Sequence, residues 1–171
     1  SWWRDGSSMS WSERRLLLVG AATLALGGCG FKLRGDEPLH FRSIALTGFA
    51  PRSPLAAELR AALARSVRVE STPARAELVL QALSDQRERV AVATTAAAQV
   101  REVQLRLRLR WRTQTPAGRE VTAPAELALS RDMSYSESQA LAKQYEEADL
   151  FRDMQADIVA QVLSRLSVIR L

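Results

Sequence analysis

The sequence predicts an α+β fold in which two helices cover one face of a mixed or mostly antiparallel sheet of four or more strands. The main observation is segment 103–112, where five apolar residues alternate strictly with one glutamine and four arginines. Successive side chains of a strand point to opposite faces, so this segment predicts a strand with one apolar and one basic face. Two segments with apolar residues at helical spacing supply the cover that the apolar face needs.

Further strands are predicted by short alternating or continuously apolar runs, at 31–34, 44–48, 67–70, 77–84, 89–95 and 120–130. The run 77–84 is the most continuously apolar, so we expect it near the middle of the sheet. The polar residues 85–88 separate it from 89–95. Residues 115–118 form a predicted turn, and Pro124 predicts a sheet edge or a bulge in the last strand.

The first helix is expected to begin at Pro54, with Ser53 as its N-cap and a core stripe of leucines spaced four residues apart. The second is predicted over residues 139–166, and an interruption near Asp149 is left open. Its predicted core stripe consists of Leu141, Tyr145, Ala148, Phe151, Met154, Ile158, Val162 and Leu166.

The composition limits the kinds of functional site that the chain can form. The chain has 171 residues with 24 Lys+Arg against 19 Asp+Glu, which fits one mildly basic domain with its own core. A single cysteine excludes an intramolecular disulfide, and a single histidine, His40, excludes a His-rich metal site. No nucleophile motif or Gly-rich phosphate loop occurs, so we expect neither an enzyme nor a cofactor.

The basic face of segment 103–112 has two interpretations. Arg106, Arg108 and Arg110 form either a solvated sheet surface with acidic neighbours on adjacent strands, or an anion-binding face. The sequence of the segment alone does not choose between them.

The N-terminal residues 1–28 are interpreted as an extension and a lipoprotein signal peptide, with Met9 as the expected initiator. Two arginines precede an apolar run of eleven residues, 16–26, which is shorter than the roughly 20 residues that span a bilayer. The following Leu-Gly-Gly-Cys resembles the bacterial lipobox, which implies cleavage before Cys29 and its lipidation. Gly30 after the cysteine suggests the outer membrane, and an envelope location argues against a nucleic-acid partner.

The residues after Cys29 carry a more specific resemblance. Cysteine, glycine, an aromatic, a variable residue, leucine and arginine at 29–34, with Ala-Leu-Ala-Lys at 140–143, are similar to the LPS-assembly lipoprotein LptE (RlpB) family. The resemblance implies a single α+β domain over 29–171 that binds lipopolysaccharide and sits as a plug inside the outer-membrane β-barrel LptD. The alternative is a lipoprotein adaptor of another envelope transport or barrel-assembly complex, without lipopolysaccharide contact; a cell-wall hydrolase comes third.

The resemblance also implies a site. Lys143 matches a family lysine implicated in lipopolysaccharide binding, although a solvated lysine at a helix start is the other interpretation. The family's arginine in the turn before the main strand is replaced here by alanines and a glutamine at 96–99. Arg101, or the row Arg106, Arg108 and Arg110, is the expected substitute.

Overall fold

The computed structural model describes residues 38–94, 96 and 99–171. The predicted strand at 31–34, the signal segment and Cys29 lie outside the described residues. The described elements follow in the order β1 (Ser43–Thr47), α1 (Pro54–Leu63), β2 (Arg68–Glu70), β3 (Leu78–Thr94), β4 (Val100–Gln114), β5 (Glu120–Ser134) and α2 (Ala140–Leu166).

The sheet is mixed, and its strand order is β2-β1-β3-β4-β5. β1 runs parallel to β2 and β3, whereas β3, β4 and β5 form an antiparallel meander. Both helices lie on one side of this sheet, which confirms the predicted fold class. β3 is the middle strand, as its continuously apolar first half predicts.

Strand β4 confirms the strict alternation that predicted it. Five alternating apolar side chains of this strand are at most 2% exposed and belong to the core: Val103, Leu105, Leu107, Leu109 and Trp111. The arginines between them point to the open face of the sheet, away from the helices. The core therefore lies between the sheet and the two helices.

Helix α1 begins as its sequence predicts. The Ser53 hydroxyl accepts a hydrogen bond of 3.1 Å from the backbone N–H of Ala56, so the N-cap satisfies one of the free donors of the first turn. Leu55, Leu59 and Leu63 are buried against the sheet, which confirms the core stripe.

Strand β3 corrects the predicted break at 85–88. The strand continues over 17 residues because each residue of this polar segment pairs with a residue of β4, from Asp85 opposite Leu109 to Glu88 opposite Arg106. The ladder of backbone hydrogen bonds outweighs the polar composition of the segment. The irregularity in this part of β3 is a register shift between Ala82 and Ser84.

Strand β5 lies at the edge of the sheet, as Pro124 predicts. The register with β4 shifts between the pairs Trp111–Ala125 and Thr113–Thr122, so Pro124 falls within a bulge. The strand extends to Ser134, four residues further than the sequence pattern predicted.

Helix α2 is continuous over 27 residues, without an interruption at Asp149. Its core stripe is confirmed from Phe151 onward and wrong before it, because Leu141 and Tyr145 are 66% and 68% exposed and Ala148 is exposed too. In these first turns Lys143 and Glu147 face the sheet instead. The reason lies in the sheet, where the side chains under this part of the helix are polar and aromatic rather than aliphatic.

Candidate anion-binding site

Two arginines of β3 lie on the helix-covered face of the sheet. Arg87 pairs with Leu107 and Arg89 with Leu105, so each shares the face of a buried leucine on β4. This part of β3 extends beyond β1, which pairs only with residues Leu78–Gln81. The two guanidinium groups therefore stand beside the first turns of α2.

Aromatic rings support both guanidinium groups. The Arg87 guanidinium carbon lies 3.8 Å from the ring centroid of Phe151, and that of Arg89 lies 5.0 Å from the ring centroid of Tyr135. Stacking on a ring face restrains the plane of a guanidinium and leaves its N–H groups at the edge free to donate. Both arginines are thus held in place as donors to an anion.

Lys143 supplies a third cation. Its ammonium donates to Ser134 Oγ at 3.1 Å and to Glu146 Oε2 at 2.7 Å, and its side chain is 14% exposed. Lys143 is therefore not the freely solvated lysine of the alternative interpretation. Its charge is held at the end of β5, close to the hairpin between β3 and β4.

These cations line one open cavity of about 380 Å³. The cavity is bounded by Arg87, Arg89, Tyr135, Lys143, Gln144, Glu147 and Ala148. Glu147 accepts from Arg89 Nε at 3.1 Å, so the lining contains three cations and one carboxylate. Such a lining suits a compact anion with several acceptor oxygens, such as a phosphate group.

The arginine row of β4 forms a different surface on the open face of the sheet. Arg108 pairs with Glu126 at 3.2 Å, and Arg106 Nε donates to Gln104 Oε1 at 2.7 Å. Glu126 also lies opposite Arg110. The row therefore has the acidic neighbours of the first interpretation, while Arg106 and Arg108 also line a cavity of about 190 Å³ on this face.

The predicted site residues therefore divide between two faces. Lys143 lies with Arg87 and Arg89 on the helix-covered face, whereas Arg106, Arg108 and Arg110 lie on the opposite face. One phosphate group cannot contact both sets, because the sheet itself separates them.

Arg101 stands at the hairpin end of the helix-covered face. It is exposed, and its carbonyl oxygen accepts from the backbone N–H of Tyr135 at 2.8 Å. Arg101 does not line the cavity of Lys143 and Arg89; it lines a separate cavity together with Gln99, Val100 and residues 136–138. Ala96 lies in the hairpin turn, and residues 97 and 98 of the predicted turn lie outside the described residues.

Within the part of the chain that the structure describes, no cluster of three or more His, Cys, Asp or Glu could hold a metal ion. Over the same residues, no helix combines the length and apolarity that a membrane crossing requires. His40 is exposed. Glu146 and Glu147 contact different cations, Lys143 and Arg89, and so do not form a carboxylate pair.

The model of the LptE family, described as lipopolysaccharide-assembly, matches residues 41–166. This chain belongs to the LptE family. This membership supports a lipoprotein that acts in lipopolysaccharide assembly. The match includes every residue that lines the cavity. No curated protein matches the chain by sequence.

Solved structures of bacterial lipoproteins share the fold. The solution structure of an uncharacterized lipoprotein B from Nitrosomonas europaea is 29% identical with a TM-score of 0.67, over 81% of this chain and 90% of that one. A minor lipoprotein from Acinetobacter baumannii is 23% identical with a TM-score of 0.61, over 76% and 93%. The rare lipoprotein B from Shewanella oneidensis is 21% identical with a TM-score of 0.56, over 74% and 94%.

Sequence reasoning missed Arg87 and Arg89. Arg87 falls in the segment that its polar composition marked as a break between strands. The available signal was the spacing of two residues between the arginines, which places both on one face of a continuous strand. The pairing with β4 that makes the strand continuous is not visible in the local sequence.

Proposed function

We propose that this protein is an outer-membrane lipoprotein that binds lipopolysaccharide and occupies the LptD β-barrel during insertion of lipopolysaccharide into the outer leaflet. The observation that carries the binding proposal is the cavity in which Arg87, Arg89 and Lys143 converge. Membership of the LptE family supports the partners. The proposal assigns the phosphate-binding role to this cavity rather than to the arginine row.

The residues of the cavity match the chemistry of the ligand. Lipid A and its core carry phosphates, and a guanidinium can donate two parallel hydrogen bonds to one phosphate. Lys143 adds a point charge that tolerates different approach directions. Such charge-assisted hydrogen bonds are roughly twice as strong as neutral ones. The Lys143 side chain is only 14% exposed, which limits the screening of its charge by water.

The proposed anchor is the lipid on Cys29. Each buried methylene contributes about 0.8 kcal/mol, and stable anchoring requires more than one acyl chain. A tri-acylated cysteine meets this requirement. The glycine at position 30 supports delivery to the outer membrane, with the protein on its periplasmic side.

The open face of the sheet is the proposed contact with the barrel. Cations and carboxylates alternate there, as in the pair Arg108–Glu126 and in Arg112–Glu120 at 3.7 Å. A large barrel has a polar lumen, so a mixed-charge sheet surface suits it better than an apolar one would. This arrangement leaves the helix-covered face and its cavity for the ligand.

The test is to isolate the tagged full chain from outer membranes in mild detergent. We expect a very large, heat-modifiable barrel in a 1:1 complex, and purified full chain that binds lipopolysaccharide but not neutral polysaccharide. A different envelope partner together with no lipopolysaccharide binding would support the adaptor alternative instead. Turnover of peptidoglycan by the purified chain would contradict the non-enzymatic assignment.

A further inference from the structure

The cations of the cavity already contact carboxylates of the protein itself. Glu147 Oε2 lies 3.1 Å from Arg89 Nε, and Glu146 Oε2 lies 2.7 Å from Lys143 Nζ. We propose that Glu147 is a built-in competitor, whose carboxylate occupies Arg89 when the site is empty and is displaced when a ligand phosphate binds. The inference rests on the proposed function and concerns how the same site takes up and releases its ligand.

The position of Glu147 distinguishes it from an ordinary surface ion pair. Its side chain is 25% exposed and forms part of the cavity wall, next to Arg87, Lys143 and the Tyr135 ring. A phosphate that accepts hydrogen bonds from both Arg89 and Lys143 would lie close to this carboxylate. Because like charges repel, the ligand and Glu147 cannot share Arg89 at full strength.

The pair Asp149–Arg152 shows the contrast on the same helix. Its contact distance is 2.7 Å, but the two side chains are 65% and 68% exposed and neither lines the cavity. An exposed pair of this kind contributes little to stability or binding. It provides a matched control for removing one carboxylate from α2.

Exchange of anions would give Glu147 a role in both the uptake and the release of the ligand. With Glu147 in contact with Arg89, the three cations are partly neutralised and do not repel one another strongly. A phosphate brings a charge of about −1.5 to −2 and three acceptor oxygens, so it can replace a single carboxylate on more than one cation. The tethered carboxylate returns at high effective concentration and so favours release of the ligand.

The test compares the wild-type full chain with its Glu147→Gln and Asp149→Asn variants in detergent, using purified lipopolysaccharide as the probe. We expect Glu147→Gln to tighten binding about twofold to fivefold, the range that removal of one competing ion pair allows, mainly through slower dissociation. Asp149→Asn should bind as the wild type does. Thermal unfolding should confirm that both variants fold.

The alternative role for Glu147 is to position Arg89 for the ligand, and it predicts the opposite sign. If Glu147→Gln leaves lipopolysaccharide binding unchanged or weakens it, the competitor role is wrong while the proposed function stands. If the wild-type chain does not bind lipopolysaccharide, the proposed function fails and this inference loses its basis. Binding by the wild type therefore tests the proposed function, and the sign of the change in Glu147→Gln tests the competitor role.

Discussion

Adjacent residues of β4 have opposite environments. Leu107 is 2% exposed and lies in the core beneath α2, whereas the side chain of Arg108 is 50% exposed and pairs with Glu126 on the open face. The difference follows directly from the period of two in a strand. It makes this pair of residues a sensitive test of the fold.

We expect Leu107→Ala to lower the free energy of unfolding by about 2–5 kcal/mol, because it removes buried methyl groups and leaves a cavity. Arg108→Ala should cost at most about 1 kcal/mol, since exposed ion pairs contribute little. Chemical denaturation of the two variants measures both values. Equal losses at the two positions would contradict the alternation of β4.

Helix α2 consists of two halves with different roles. From Phe151 onward it supplies core residues, including Met154 and Ile158, which are 0% exposed. Before Phe151 it supplies the charged wall of the cavity and exposes Leu141 and Tyr145. The amphipathic pattern of the whole helix therefore combines a packing function with a site.

We expect Ile158→Ala to destabilise the protein by about 2–5 kcal/mol and Tyr145→Ala to change stability by about 0.5 kcal/mol or less. Ile158 fills the core, whereas Tyr145 is 68% exposed and loses little contact area. Thermal unfolding of the two variants is the measurement. A large loss for Tyr145→Ala would mean that the first half of α2 packs as the sequence pattern predicted.

The elements that could be predicted from sequence are those with strong local signals. Strict alternation identified β4, the Ser53–Pro54 cap identified α1, and Pro124 identified the edge strand. Each signal acts within a few residues and is not overridden by neighbouring elements. The resemblance to the family additionally identified Lys143 as a candidate before its surroundings were known.

The parts that sequence reasoning missed depend on contacts between elements. β3 continues through a polar segment because β4 pairs with it. Lys143 in the first half of α2 faces the sheet, where its ammonium donates to Ser134 at the end of β5. One of these contacts, between Arg89 and Glu147, joins residues more than fifty positions apart in the sequence. Local composition therefore could not reveal that Arg87, Arg89 and Lys143 share one cavity.

At the scale of the whole molecule, we expect loss of the proposed anchor to leave the fold of the domain intact. Cys29 precedes the first described strand, so Cys29→Ala should abolish acylation and leave an uncleaved or mislocalised precursor whose domain still folds. Metabolic labelling with a fatty acid gives the cleanest measurement, because binding to a partner could retain unlipidated protein at the membrane. Normal acyl labelling of the variant would contradict the lipobox assignment.

The central claim is that lipopolysaccharide binds to the cavity on the helix-covered face and not to the arginine row. The most direct measurement is the lipopolysaccharide affinity of two double variants of the full chain in detergent. The cavity variant carries both Lys143→Gln and Arg89→Gln, and the arginine-row variant carries both Arg106→Gln and Arg108→Gln. Each pair removes two positive charges, one pair from the cavity and the other from the open face, and thermal unfolding verifies that both variants fold.

We expect the cavity variant to lose about tenfold or more in lipopolysaccharide affinity, because it lacks two charge-assisted contacts. The affinity of the wild type for lipopolysaccharide should fall as the salt concentration rises, since salt screens exposed charges beyond about 8–10 Å. The arginine-row variant should bind lipopolysaccharide like the wild type. Loss of binding in the arginine-row variant, with binding retained in the cavity variant, would contradict the account.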